Sequence, residues 1–252
     1  MNIQDAYEDY YQYIYNYALK LTCHPEDALD LTQETFLKAM KQLGTLENEK
    51  ALASWLRTIC FHEFINRTKK NPNKYMEVPL DIEALESDGH RLVETTPQPE
   101  DEIIVEEEIK DLQNGCFLAM VRRLTLHQRI VFSLVDMYGL SINTVADMLG
   151  ISNGAAKGLL HRARMNLDCF FADHCSIINE KNPCSCKAWL TFSQTRSNLQ
   201  SSAHKLIHQL DAGEKNNFHN EQVRKKLLFL YGNMPEQKPP KEWYQSVLNS
   251  LL

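Results

Sequence analysis

The chain has 252 residues, 43% of them apolar and 24% charged, with only 9 Gly and 9 Pro. That balance describes one large or two small globular domains able to fold without disulfides, and it excludes collagenous, low-complexity and many-stranded architectures. No apolar run approaches the roughly 20 residues of a membrane-spanning helix. The start, Met1-Asn2-Ile3-Gln4-Asp5, lacks the basic-then-apolar order of a secretory signal, so no membrane span and a cytoplasmic location are expected. In a reducing compartment the 7 cysteines read as metal or redox candidates before structural disulfides. The net charge of −6 is unevenly spread: residues 71–115 carry 3 Lys+Arg against 13 Asp+Glu, whereas residues 187–252 carry 9 against 5.

The first predicted helix, Ile3 to Leu21, places Tyr7, Tyr10, Ile14, Tyr17 and Leu21 in one apolar stripe. Pro25, Glu26 and Asp27 open a second helix, with proline in the first turn and acids at the positive end of the dipole. Along it Leu29, Phe36, Met40 and Leu43 share a face, while Asp27, Asp30, Glu34, Lys38 and Lys41 line another, on which Glu34 can meet Lys38. A third helix, Ala51 to Lys70, carries Trp55, Leu56, Ile59, Phe61, Phe64 and Ile65 and ends in the basic run Asn66-Arg67-Thr68-Lys69-Lys70. Such an ending suits the helix dipole, and it also suits phosphates.

Residues 71–103 lack sustained periodicity and collect prolines and acids, the composition of an acidic flexible linker. The next module, residues 104–172, has an apolar-periodic helix from Leu126 to Tyr138 that ends at Gly139. Ser141 caps a short helix from Ile142 to Leu149 that stops at Gly150. Ser152 caps a third helix running to about Phe171. Two helices joined through Leu149-Gly150-Ile151-Ser152 make a helix-turn-helix pattern, with Ala146 small enough for close crossing. Lys157, His161, Arg162 and Arg164 lie along the last helix, as recognition of phosphates requires, and the short polar groups at its start suit base edges. The expected fold is therefore all-α: two helical modules (1–70 and 104–172), the second a helix-turn-helix, joined by an acidic linker and followed by a mostly helical extension over 173–252.

The segment from Pro25 to Ala39 resembles the helix by which bacterial sigma factors grip core RNA polymerase, and Trp55 to Arg67 looks like their promoter-melting segment. Gln128 to Ser141, Ala146 to Ser152 and Lys157 to Arg164 are similar to their fourth conserved region. The order and the linker match the compact extracytoplasmic-function group. The resemblance implies that Asp27, Asp30, Gln33 and Glu34 dock on core RNA polymerase. It implies that Trp55, Arg57, Phe61, Asn66 and Arg67 meet promoter DNA near the start site, where separated strands need aromatic platforms and cations. For Trp55 and Phe61 ordinary core packing is the competing reading. Ser152, Asn153, Lys157, His161, Arg162 and Arg164 would bind the duplex element around minus thirty-five. An anti-sigma or other regulatory protein is a candidate partner, and no catalysis by the chain itself is expected.

Two features depart from the family pattern. Lys157 is followed by Gly158 and Leu159 where a small polar residue and a cation are usual, and residues beyond about 172 exceed what a minimal member needs. That extension opens with His174, Cys175, Cys184 and Cys186. These four side chains could form a tetrahedral zinc site, a thiol redox switch or an inert group. Helical periodicity follows at Trp189 to Leu210 and Glu221 to Tyr231. The chain then ends in a short amphipathic segment with Trp243, Val247, Leu248, Leu251 and Leu252. The rival to a sigma factor is a stand-alone helix-turn-helix regulator, which leaves the 25–39 segment without a task. A thiol- or metal-dependent enzyme is the other rival, but no phosphate loop, metal helix or nucleophile motif accompanies the cysteines.

Overall fold

A computed structural model describes residues 2–46, 48–71, 116–175, 178–179, 181–182 and 221–251. The regular elements among them are helical, in agreement with the expected all-α class. Helix α1 (Ile3–Thr22) begins with a reciprocal cap, in which the Asp5 N–H donates to Asn2 Oδ1 (2.8 Å) and the Asn2 N–H to Asp5 Oδ2 (3.2 Å). It ends on Cys23, a non-glycine residue held at a positive φ of 53° by an N–H bond to the Leu19 carbonyl (2.8 Å). Helix α2 (Pro25–Gln42) starts at the predicted proline, runs out through a 3-10 turn at Leu43–Thr45, and is followed by α3 (Leu52–Lys70). Tyr7, Ile14, Tyr17, Leu21, Leu31, Phe36, Leu56, Phe61 and Phe64 fill the space between the three.

The polar faces of α2 and α3 are tied across the helices rather than along one of them. Arg67 donates from Nε (3.0 Å) and Nη2 (2.6 Å) to Glu34 Oε2, and Lys38 pairs with the buried Glu63. The expected Glu34–Lys38 pair within α2 gives way to these cross-links. A carboxylate against a guanidinium fork makes two bonds, where a lysine four residues away makes one.

The second module starts with helical residues 116–122 and continues with α4 (Leu126–Phe132), capped by Thr125 and Gln128. The single helix expected from Leu126 to Tyr138 is interrupted. Residues Ser133–Met137 form a π-helical turn, in which the Tyr138 N–H reaches the Ser133 carbonyl five residues back (2.9 Å). Helix α5 (Ile142–Leu149) is capped by Ser141 and closed by Gly150 at φ 64°. Helix α6 (Asn153–His174) is capped by Ser152 and runs past its expected end near Phe171. Two helices of the extension complete the described chain: α7 (Glu221–Gly232) packs on α6 and on the π turn, and α8 (Lys241–Ser250) carries Tyr244 against Tyr7 and Tyr11 of α1. The linker from residue 72 onward, the helix expected from Trp189 to Leu210, Cys184, Cys186 and the side chain of His174 lie outside the described residues. Among the described residues no helix is long and apolar enough to cross a membrane.

The cysteines differ sharply in environment. Burial pushes the Cys23 thiol up to about 11 and the Cys60 thiol up to about 12, whereas Cys169 is exposed on α6. Because the thiolate is the reactive form, brief iodoacetamide treatment of the native chain at neutral pH should label Cys169. Cys23 and Cys60 should react only after unfolding, as read by peptide mass.

Candidate nucleic-acid interface

The start of α6 is built to present polar groups. Ser152 Oγ accepts the Ala155 N–H (3.1 Å), which seats the helix, and Ser141 does the same for α5 by accepting the Thr144 N–H (3.1 Å). Asn153 bonds across to Asn143 of α5, so that the two elements of the helix-turn-helix share an amide contact at their exposed edge. Ser152, Asn153, Lys157, His161 and Arg162 are all exposed on one side of α6, while Ala156, Leu160, Ala163 and Leu167 turn inward. This is the separation of faces that a groove-reading helix needs. A Cβ at Gly158 would lie 3.5 Å from Arg162 Nη1, an ordinary contact, so the glycine is not forced by space.

Arg164 has a different setting. Its guanidinium donates from Nε (2.9 Å) and Nη2 (2.6 Å) to the two carboxylate oxygens of Asp136 in the π turn, whose side chain is 1% exposed. Arg224 of α7 approaches the same carboxylate (3.5 Å) and that of Asp168 (3.3 Å). The bond to Asp136 raises the Arg164 pKa. Burial lowers that of Arg224 against the opposing pull of Asp168 and Asp136. In this conformation Arg164 serves the fold where a phosphate anchor was expected.

On the first module the predicted residues also divide by environment. Asp30 is exposed and Gln33 partly exposed, but Asp27 is buried, 4.0 Å from His24 Nδ1, and Glu34 is engaged by Arg67. Arg67 further donates to the Asp30 carbonyl (2.9 Å), so one α3 residue braces the exposed edge of α2. Phe61, 2% exposed, sits in the core and offers no face to a base here; Trp55 packs against the same core and keeps part of its surface. Asn66 is exposed. Arg57 lies over the Tyr138 ring of the second module at 5.5 Å, with its Nε buried and without a hydrogen-bond partner.

The residues that sequence reasoning passed over are those joining the modules. Tyr138, just after the π turn, bonds Tyr13 through the two hydroxyls (2.5 Å) and packs edge-on against Tyr17 (4.9 Å), while Lys20 Nζ donates to the Met137 carbonyl (3.2 Å). A signal for this was present: Asp136 is the lone acid in Ile130-Val131-Phe132-Ser133-Leu134-Val135-Asp136-Met137, and an acid inside such an apolar run requires a cationic partner. Among the described residues no group of three or more His, Cys, Asp or Glu is placed to hold a metal ion. Cys175 is buried at the end of α6, and Asn182 folds back to donate to its carbonyl (3.0 Å) and to that of Ala172 (2.8 Å).

Removing the shared carboxylate tests how much the second module depends on it. Asp136→Ala removes both bonds that Arg164 makes to it and leaves Arg224 to Asp168. Breaking a fully buried pair costs about 3–5 kcal/mol, and the partial solvent access of both arginines reduces this, so urea denaturation should show a loss of about 2–3 kcal/mol. Arg224→Ala should cost less, since Arg164 remains on the carboxylate.

Comparison with known proteins agrees with this arrangement. Residues 6–72 match the family Sigma-70 region 2, and residues 114–167 match Sigma-70, region 4. RNA polymerase sigma factor YlaC of Bacillus subtilis is 32% identical over 167 residues, 66% of this chain and 90% of that protein. The ECF RNA polymerase sigma factors BldN of Streptomyces coelicolor and SigE of Mycolicibacterium smegmatis are each 30% identical, over 62% and 65% of this chain. The matched regions span 55% of BldN and 59% of SigE. Neither family match extends past residue 167, so α7 and α8 stand outside both. With both regions present in order and nearly all of one relative covered, the chain belongs to the extracytoplasmic-function group of RNA polymerase sigma factors.

Proposed function

We propose that this chain directs core RNA polymerase to specific promoters through the residues identified above, acting in the cytoplasm as an initiation subunit without chemistry of its own. The observation that carries the reading is the exposed row Ser152, Asn153, Lys157, His161 and Arg162 on a capped α6, in a chain that also carries region 2. Lys157 and Arg162 supply phosphate contacts that position the helix, and Asn153, at its N-terminal end, is placed to read a base edge. On the first module, Asp30 and Gln33 form the accessible part of the docking face on α2, and the Glu34–Arg67 pair holds that face to α3. Trp55, Asn66 and Arg57 are the candidate contacts to the separated strands, Arg57 once Tyr138 has left it. A stand-alone regulator would leave region 2 without a task.

The test is run-off transcription with purified core polymerase and a library of genomic promoter fragments. The full chain should yield discrete transcripts that core alone does not. Asp30→Lys should abolish co-purification with core while leaving helix content unchanged by circular dichroism.

The extension is the proposed regulatory element, alongside any separate anti-sigma protein. For its thiol cluster, zinc is the occupant to test. Cys175 is buried, and Asn182 brings the chain back onto the Cys175 carbonyl two residues before Cys184. His174 and Cys186 would complete a set of donors suited to zinc. Protein purified under reducing conditions should contain about one zinc per chain, and Cys184→Ser/Cys186→Ser should lose it, as read by elemental analysis.

A further inference from the structure

The extension is anchored at two places, one on each module. At the first, Tyr231 of α7 is fully buried in a cage of Phe117, Phe132 and Phe171, with ring centroids at 5.1, 5.0 and 6.2 Å, and its hydroxyl donates to the Phe117 carbonyl (3.4 Å). Leu227 is fully buried beside it, Arg224 faces Asp136 and Asp168, and Lys226 Nζ donates to the Ile178 carbonyl (3.2 Å). At the second anchor, the Gln237 N–H donates to Asn16 Oδ1 (2.8 Å) and Asn16 Nδ2 donates to the Gln237 carbonyl (2.9 Å). The Asn16 side chain thus pairs with the crossing segment as another backbone would. Beyond it the Tyr244 ring stacks on Tyr7 (5.2 Å, 19°) and meets Tyr11 (4.6 Å), its carbonyl accepts the Tyr7 hydroxyl (3.1 Å), and Val247 is 1% exposed.

Anchored this way, residues 221–251 hold together the direct contact between the modules, in which Met137 and Tyr138 lie on Tyr13, Tyr17, Lys20 and Arg57. Two consequences follow. Arg57, a candidate strand contact, is held against the Tyr138 ring and only partly exposed. With α7 on the second module and α8 on the first, the modules also separate only if one of these contacts breaks. A compact body of at most this length has a radius of gyration no greater than about 18 Å, or about 45 Å across. A duplex element around minus thirty-five lies at least two helical turns of DNA, or about 70 Å, from the segment that melts near the start site. The closed body is too short to hold both.

We propose that residues 221–251 are an intramolecular clamp that keeps the two sigma regions closed on each other and unable to engage a promoter until α8 and the Gln237 crossing leave α1. The proposal rests on the sigma-factor reading above and adds to it a closed state made by this chain alone.

Two full-length variants test it. Tyr244→Ala/Val247→Asp removes the packing of α8. Gln237→Pro removes the N–H that bonds Asn16 while leaving both helices intact, so it carries the test if the first variant loses helix content. Small-angle scattering and amide exchange of α1 report closure without reference to transcription. The expected result is a larger radius of gyration and faster exchange in both variants. If about one wild-type chain in ten is open, run-off transcription at limiting concentration should rise about tenfold. Unchanged scattering and exchange in folded variants would overturn the clamp. Opening with transcription equal to wild type would overturn its inhibitory role. Opening while neither the wild type nor the variants transcribe or bind core would overturn the sigma reading, and the inhibitory role with it.

Discussion

The second module and the extension are organised around one buried carboxylate. Taking Asp136 out of water is costly unless charge and hydrogen bonds replace the lost hydration, and the chain supplies both from two distant places. Arg164 comes from the recognition helix with two short bonds, and Arg224 from α7, 60 residues further on, completes the surroundings together with Asp168. The π turn makes this convergence possible. By lodging an extra residue in the turn it aims Asp136 at α6 while delivering Met137 and Tyr138 to α1. One local irregularity of the backbone therefore couples the DNA-reading helix, the extension and the first module.

The two anchors of the extension are unequal. On the second module α7 buries Tyr231, Leu227 and Val223 in an apolar cage, and leaving it would expose a large aromatic surface. On the first module the contact is made largely by tyrosines and amides: Tyr7, Tyr11, Asn16, Gln237 and Tyr244. Each of these has a polar group that water can satisfy after release. Tyr244 and Trp243 remain partly exposed even when docked. Opening therefore begins at α8, with α7 staying on the second module, and the crossing residues between them move with it. The tyrosine contact between Tyr138 and α1 has the same character and can part for the same reason.

Much of this was legible from residue order alone. The proline and acids at Pro25-Glu26-Asp27, the caps at Ser141 and Ser152 and the left-handed Gly150 each have a local physical cause, and the structure places them where expected. The stripe from Tyr7 to Leu21 reads as one apolar face, yet its members meet different neighbours: Tyr7 meets Phe36 and α8, while Tyr17 meets Tyr138. Periodicity reports that a position is covered, not by which segment. Charge has the same ambiguity. Arg164 and Arg67 have the spacing of phosphate contacts, but a guanidinium fits a carboxylate as well as a phosphate, and Asp136 and Glu34 are closer in the folded chain. The π turn left no periodic trace, because one added residue leaves the apolar run unbroken.

The paired cations clarify how a chain of net charge −6 can serve promoter DNA without binding DNA everywhere. Nonspecific affinity comes almost wholly from cations that displace the counterions of phosphate. In the closed chain several of those cations are occupied: Arg164 by Asp136, Arg67 by Glu34, and Arg57 against Tyr138. Lys157 and Arg162 on α6 and Lys69 and Lys70 at the end of α3 remain exposed, few enough for a weak and salt-sensitive encounter. Freeing the others means breaking ion pairs and aromatic contacts first, which random duplex cannot offset at physiological salt. The internal pairs thus compete with duplex for these arginines and keep the phosphate affinity of the closed chain low.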